Sequence, residues 1–169
     1  MFKTCCVTGH RPKGFPWLYG ADSKFQSVYE KMLYERIEIY ITESNVTDFI
    51  SGMALGVDID FAVAVLKLRK KYSSIHLHCA IPCHDQTKLW NGRDIALYNK
   101  ILKRADSSII LSEKYNQNCM LERNRYMVDR SDYVLAVWNG KQHGGTWYTM
   151  GYAIKQQKQL EIIRLDEII

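Results

Sequence analysis

Short β-prone runs alternate with longer stretches of helical periodicity along this chain, and that alternation constrains its fold more than any other feature. Strands are expected at Lys3–Thr8, Thr47–Ser51, Ile75–Ile81, Ser107–Leu111, Tyr133–Trp138 and Leu160–Leu165. Between the first two, Phe25, Val28, Tyr29, Met32, Leu33, Ile37, Tyr40 and Ile41 recur at helical spacing. Further helices are expected through Phe61–Leu68, around Trp90–Leu102, over Met120–Val128 and over Trp147–Ile154. Such alternation implies right-handed crossovers and a parallel sheet covered on both faces. The expected fold class is therefore α/β: a Rossmann-like three-layer α/β/α sandwich with a mostly parallel sheet. The 169 residues fit one domain, residues 1–169, with no repeat, low-complexity tract or linker to divide it.

Composition narrows the function classes. The apolar fraction, 47%, is ordinary for a globular chain. No apolar run approaches the ~20 residues of a membrane span, and Cys5-Cys6-Val7 after Lys3 is too brief for a signal-peptide core. No membrane partner and a cytoplasmic location are expected. The odd cysteine count, at positions 5, 6, 79, 83 and 119, argues against a disulfide framework. Cys79, Cys83 and His84, with His76 and His78 nearby, raise zinc as an option. Strand alternation, however, puts both histidines on one face and Cys79 on the other, and no second paired-ligand cluster exists. No metal and no cofactor are expected. The net charge of +5 is dispersed. Lys67, Arg69, Lys70 and Lys71 end one helix and Lys100, Lys103 and Arg104 another, where the helix dipole favours cations. This balance permits an anionic partner without requiring nucleic acid.

In open sheets of this kind ligands bind outside the carboxyl ends of the strands. Thr8-Gly9-His10-Arg11-Pro12 follows the first strand: Gly9 allows a turn close to a ligand, Arg11 offers a forked phosphate donor and His10 a polar contact. A plain surface turn is the alternative. Ser51-Gly52-Met53-Ala54-Leu55-Gly56-Val57-Asp58 joins the second strand to its helix, and its glycines would present amides at a helix N-terminus. Asp58 either binds a hydroxylated ligand or stabilises its own helix as a first-turn acid. After the fifth strand, Gly144, Gly145 and Thr146 open the last helix and again offer amides and a hydroxyl. Arg123 and Arg125 lie two apart on a helix and so diverge. One can reach a ligand while the other pairs structurally, with Glu122 or Asp129 as the nearest acids. The P-loop pattern and the dinucleotide Gly-x-Gly-x-x-Gly are both absent, which disfavours P-loop hydrolysis and NAD binding.

Taken together, these segments resemble the SLOG superfamily, which holds the DNA-processing DprA/Smf proteins, the YpsA-like proteins and the LOG nucleotide hydrolases. Thr8-Gly9-His10-Arg11-Pro12 resembles the first-loop signature of the DprA and YpsA branches. Residues 51–58 are similar to their Ser/Gly-Gly-x-Ala-x-Gly-x-Asp loop. Arg123-Asn124-Arg125, Ser131-Asp132 and Gly144-Gly145-Thr146 resemble what remains of the signature. The match runs in order along nearly the whole chain and is nearest the YpsA-like branch.

The resemblance implies a nucleotide-derived or nucleic-acid ligand held by Thr8, Gly9, His10, Arg11, Ser51, Gly52, Gly56, Asp58, Arg123, Arg125, Gly144, Gly145 and Thr146. It does not carry over catalysis. LOG hydrolases carry a catalytic glutamate in Gly-Gly-x-Gly-Thr-x-x-Glu, and here Thr149 stands where that acid would be, while Asn124 replaces their lysine. A hydroxyl cannot act as base or anionic stabiliser as a carboxylate does. A nucleotide-type binding or sensor domain is the leading expectation. DprA-like single-stranded nucleic-acid binding and nucleotide N-glycosidase activity are the alternatives. The partners expected are a nucleotide-like small molecule, then single-stranded nucleic acid and a second copy of the chain. Gln86 and Trp90 after the third strand either line a base-binding side or belong to a simple loop with a core tryptophan. Cys83 lacks an identifiable base other than its neighbour His84.

Overall fold

The computed structural model describes residues 1–169. Six parallel strands form one sheet: β1 (Lys3–Gly9), β2 (Val46–Ser51), β3 (His76–Ile81), β4 (Ser107–Ile110), β5 (Tyr133–Trp138) and β6 (Gln159–Arg164). Five helices connect them: α1 (Lys24–Ser44), α2 (Val57–Arg69), α3 (Gly92–Arg104), α4 (Cys119–Asp129) and α5 (Gly144–Lys155). The sheet order is β4-β3-β2-β1-β5-β6. Every pairing is parallel, where the sequence predicts only a mostly parallel sheet.

Apolar residues on alternate strand positions build two main cores, with a small third cluster of Ala136, Trp138 and Met150. The larger includes Cys5, Val7, Phe49, Leu77, Cys79 and Leu135 and packs against Tyr29, Leu33, Phe61 and Val65 of α1 and α2. The smaller, Cys6, Ile50, Ala80 and Val134, packs against Met127 and Val128 of α4 and Ala153 of α5. Strand β5 is buried along its whole length, as a central parallel strand must be. His76 and His78 stack on one face of β3 while Cys79 enters the larger core.

Local chemistry sets the helix ends. Ser23 accepts a hydrogen bond from the Gln26 amide to start α1, and Asn45 ends it in the left-handed conformation at φ 56°. Helix α2 begins at Val57, four residues earlier than its apolar periodicity suggests. Its first turn carries Asp58 and Asp60, which the dipole favours but an apolar pattern does not register. No helix is long and apolar enough to cross a membrane.

Strand order reverses between β1 and β5, because β1 continues through α1 to β2 on one side while β5 lies on the other. The loops after β1 and β5 therefore diverge and leave a crevice at the carboxyl edge.

Candidate functional site

A cavity of about 300 Å³ occupies that crevice. It is lined by Thr8, Gly9, His10 and Arg11 after β1, Ala54 and Asp58 after β2, Met120, Arg123 and Asn124 of α4, and Gly145 and Thr146 of α5. Segments far apart in sequence thus meet at one edge.

The glycines after β1 and β2 serve the protein's own packing. A Cβ on Gly9 would lie 2.5 Å from the Val57 side chain, and one on Gly52 would lie 2.7 Å from Asp58 Oδ2. Gly56 has φ +95°, and a Cβ there would strike the His10 carbonyl, which accepts from the Val57 amide at 3.1 Å. Two more amides of this loop are engaged as well. Met53 donates to Ser51 Oγ at 3.2 Å and Ala54 to Asp58 Oδ2 at 3.2 Å. Ser51 itself is buried and donates to the Asp58 carbonyl. The Met53, Ala54 and Val57 amides of this loop are therefore taken by acceptors within the protein.

The N-terminus of α5 differs. No side chain caps it, and a Cβ on Gly144 or Gly145 would meet nothing within 4 Å. Its first amides have no helical acceptor, and Thr146 stands beside them on the cavity wall. Its preceding residue, His143, is extended and makes no side-chain cap bond.

Arg123 forms part of the cavity floor and is only 5% exposed. It donates through Nη1 to the Gly52 carbonyl and through Nε to Asn124 Oδ1 at 2.8 Å, and its Nη2 lies 3.8 Å from Asp58 Oδ2. Burial raises the Asp58 pKa and lowers that of Arg123, and their mutual attraction opposes both shifts. Arg11, by contrast, is exposed and lines the cavity without an ion-pair partner of its own. His10 accepts from the Asn139 amide through Nε2 at 3.2 Å. Burial, then Lys141 and His143, lowers its pKa and favours the neutral ring that this bond requires.

Arg125 does not line the cavity. It lies exposed on the outer side of α4, donating to the Tyr148 hydroxyl and stacking over Tyr148 and Tyr152 at 5.4 and 5.6 Å. Neither arginine pairs with Glu122 or Asp129, and Asp129 instead accepts from Tyr152. Thr149 is buried, accepts from Asn124 Nδ2 at 3.0 Å and donates to the Gly145 carbonyl at 2.8 Å. It fastens α4 to the first turn of α5.

After β3, the Cys83 thiol is buried, and burial pushes its pKa up to about 12, so no thiolate is available for attack. Trp90 packs edge-on against Tyr98 beside the larger core. Gln86 reaches the Gly52 carbonyl at 3.4 Å. No group of three potential metal ligands is gathered in the described residues. Sequence reasoning missed Ala54, Met120 and Asn124 as lining residues, and the Asn139 bond to His10, although Asn139-Gly140 directly after β5 is a turn signal.

The chain matches the model of the YpsA family, described as the YspA SLOG family, over residues 5–168. It is 32% identical to the SPbeta prophage-derived protein YoqJ of Bacillus subtilis over 141 residues, covering 76% of this chain and 82% of that protein. It is 24% identical to the UPF0398 protein YpsA of the same organism, covering 93% of this chain and 87% of that one. Among solved structures it resembles DNA processing protein A from Helicobacter pylori, described in its single-stranded DNA binding mode. The TM-score there is 0.59 at 19% identity, over 95% of this chain and 64% of that one, a likeness of fold. The ordered loops around the crevice and the match along nearly the whole chain lead to one conclusion: this protein belongs to the YpsA family of SLOG proteins.

Proposed function

We propose that the carboxyl-edge cavity binds the phosphate of a nucleotide-type ligand and holds it without turnover. The observation that carries this reading is the pairing, in one cavity, of Gly145 and Thr146 at the uncapped start of α5 with the ion-pair-free guanidinium of Arg11. Amides at a helix N-terminus and a forked cation are complementary to phosphate oxygens. Arg123 supports the site from the cavity floor: its Nη1 and Nε are engaged by Gly52 and Asn124 while Nη2 lies beside Asp58, so it contributes chiefly charge and shape. The Thr149 hydroxyl accepts from Asn124 and donates to the Gly145 carbonyl, which supports binding over glycosidic cleavage.

Calorimetric titration with nucleoside monophosphates and inorganic phosphate tests the reading. Arg11→Ala should weaken phosphate-dependent binding by about 1.5–3 kcal/mol, the scale of a charge-assisted hydrogen bond. Unchanged affinity in a folded variant would remove Arg11 from the site.

Single-stranded nucleic acid is the second reading. It draws on the fold shared with DNA processing protein A and on the exposed Arg125 over half-buried Tyr148 and Tyr152 on the outer side of α4 and α5. Aromatic and cationic side chains together suit bases and backbone. Binding through phosphates alone would weaken steeply with added salt, whereas stacking on this cluster would persist and would fall in Tyr148→Ala.

A further inference from the structure

A row of hydrogen-bonded side chains crosses three neighbouring strands away from the carboxyl-edge cavity. Asp48 of β2, His78 of β3 and Ser107 of β4 share one sheet face. His78 pairs in register with Ser107, and Asp48 pairs with His76, two residues before His78. His78 Nε2 lies 2.7 Å from Asp48 Oδ1, and His78 Nδ1 lies 2.6 Å from Ser107 Oγ. An ionised carboxylate only accepts, so Nε2 carries the proton and donates to Asp48. In that tautomer Nδ1 holds a lone pair and accepts from the Ser107 hydroxyl.

An imidazole oriented by a carboxylate and set against a hydroxyl is the arrangement that activates a serine, recognised by geometry and not by fold or chain order. Ser107 is exposed, and the Asp48 and His78 side chains are about a third exposed, so a substrate can reach the row. The row borders a cavity of about 490 Å³ that also holds Tyr126 and Arg130 at the end of α4. The Arg130 guanidinium rests 3.7 Å over the Tyr126 ring and is not held by a carboxylate.

We propose that Ser107 is an activated nucleophile, with His78 as its base and Asp48 as the positioning residue, and that it cleaves small esters bearing a negative charge that Arg130 attracts. Ser107 Oγ attacks the carbonyl carbon as its proton passes to His78 Nδ1. The bond to the leaving oxygen then breaks, and the alcohol departs with that proton, leaving an acyl-serine. Water repeats the sequence: its proton passes to Nδ1 and then to Ser107 Oγ as the carboxylic acid leaves. The titratable and charged groups facing His78 are Asp48, His76, whose Nδ1 is 3.8 Å from the same Asp48 oxygen, and Arg130 across the cavity. This cavity shares no lining residue with the one assigned to phosphate, so the two readings stand or fall separately.

Labelling with a fluorophosphonate, followed by intact-mass measurement and peptide mapping, tests the proposal. One adduct should form on Ser107 and be absent from Ser107→Ala. His78→Ala should slow labelling at least ~100-fold, the lower range of general-base catalysis. Asp48→Asn should move the midpoint of the pH dependence of labelling to lower pH, which a merely structural role would not do. 4-Nitrophenyl hemisuccinate should be hydrolysed faster than 4-nitrophenyl acetate, and Arg130→Met should remove that preference. No adduct on Ser107 in the unaltered protein, or equal labelling rates in folded His78→Ala, would overturn the proposal. If His78→Ala does not fold, a labelling rate in the unaltered protein that is flat with pH would overturn it equally.

Discussion

Replacing Arg123 by methionine should destabilise this protein in a way that depends on pH. The guanidinium is buried, lies 3.8 Å from the Asp58 carboxylate and donates to the Gly52 carbonyl. Methionine keeps much of the packing and removes the charge, leaving a buried carboxylate uncompensated. Breaking a buried pair from one side costs about 3–5 kcal/mol. Protonation caps the loss. Starting from the ordinary value of 3.8, neutralising Asp58 at pH 7 costs about 4 kcal/mol, from 1.36 kcal/mol per pH unit. At pH 5 the same neutralisation costs about 1.6 kcal/mol. With its partner gone, the Asp58 pKa in the folded state is raised further above its unfolded value. The native state then binds more protons, and stability falls as pH rises through that window. The expectation is a loss of about 3–4 kcal/mol at pH 7 that shrinks to about half at pH 5, with Asp58→Asn recovering part of it in the double variant. Urea unfolding of the four proteins at both pH values measures this. A loss independent of pH, or strict additivity of the two substitutions, would refute the view that the pair is coupled by charge.

Gly56→Ala should cost at least about 2 kcal/mol by thermal unfolding, since a left-handed conformation is strained for any side chain and the new methyl would strike the His10 carbonyl. Gly145→Ala meets nothing, so it should leave stability nearly unchanged while weakening phosphate binding in the calorimeter. The Asp60 pKa is raised to about 6, first by burial, and the hydrogen bonds donated by the Tyr19 and Tyr29 hydroxyls oppose that rise. Its folded pKa exceeds the unfolded one, so its contribution should fall as pH rises from about 4 to about 6, and Asp60→Asn should flatten that part of the pH–stability curve. No free base should be released from nucleoside monophosphates, as followed by chromatography, because Thr149 offers no carboxylate and its hydroxyl is bonded on both sides; release abolished by Asp58→Asn would contradict this.

The strands are legible in the sequence because buried parallel strands read as short apolar runs; Tyr133–Trp138 has the same bounds in both. Helix α2 is harder: its first turn is held by Asp58 and Asp60, which face Arg123 and the tyrosines, so an apolar count starts late. The glycine loops announce close approach but not of what. At Gly9, Gly52 and Gly56 the approaching groups are Val57, Asp58 with Arg123, and the His10 backbone. That Arg123 and Arg125 diverge follows from helical spacing. Which of them turns inward depends on Gly52 and Asp58, supplied by another strand's loop. The His10–Asn139 bond spans 129 positions, and no local pattern reveals it.

The central pairing of β1 with β5 also has a kinetic consequence. Cys5 aligns with Tyr133 and Gly9 with Val137, so the two walls of the crevice come from segments that must diffuse together across most of the chain. Closing so long a loop is an entropic cost met before the contacts it brings are gained, and such contacts form late in folding. While β1, β2 and their helices can associate early, the α5 amides meet Arg11 only once β5 has docked. Any ligand seated in the crevice then acts on the last-formed seam of the sheet, and it should slow unfolding more than it speeds folding.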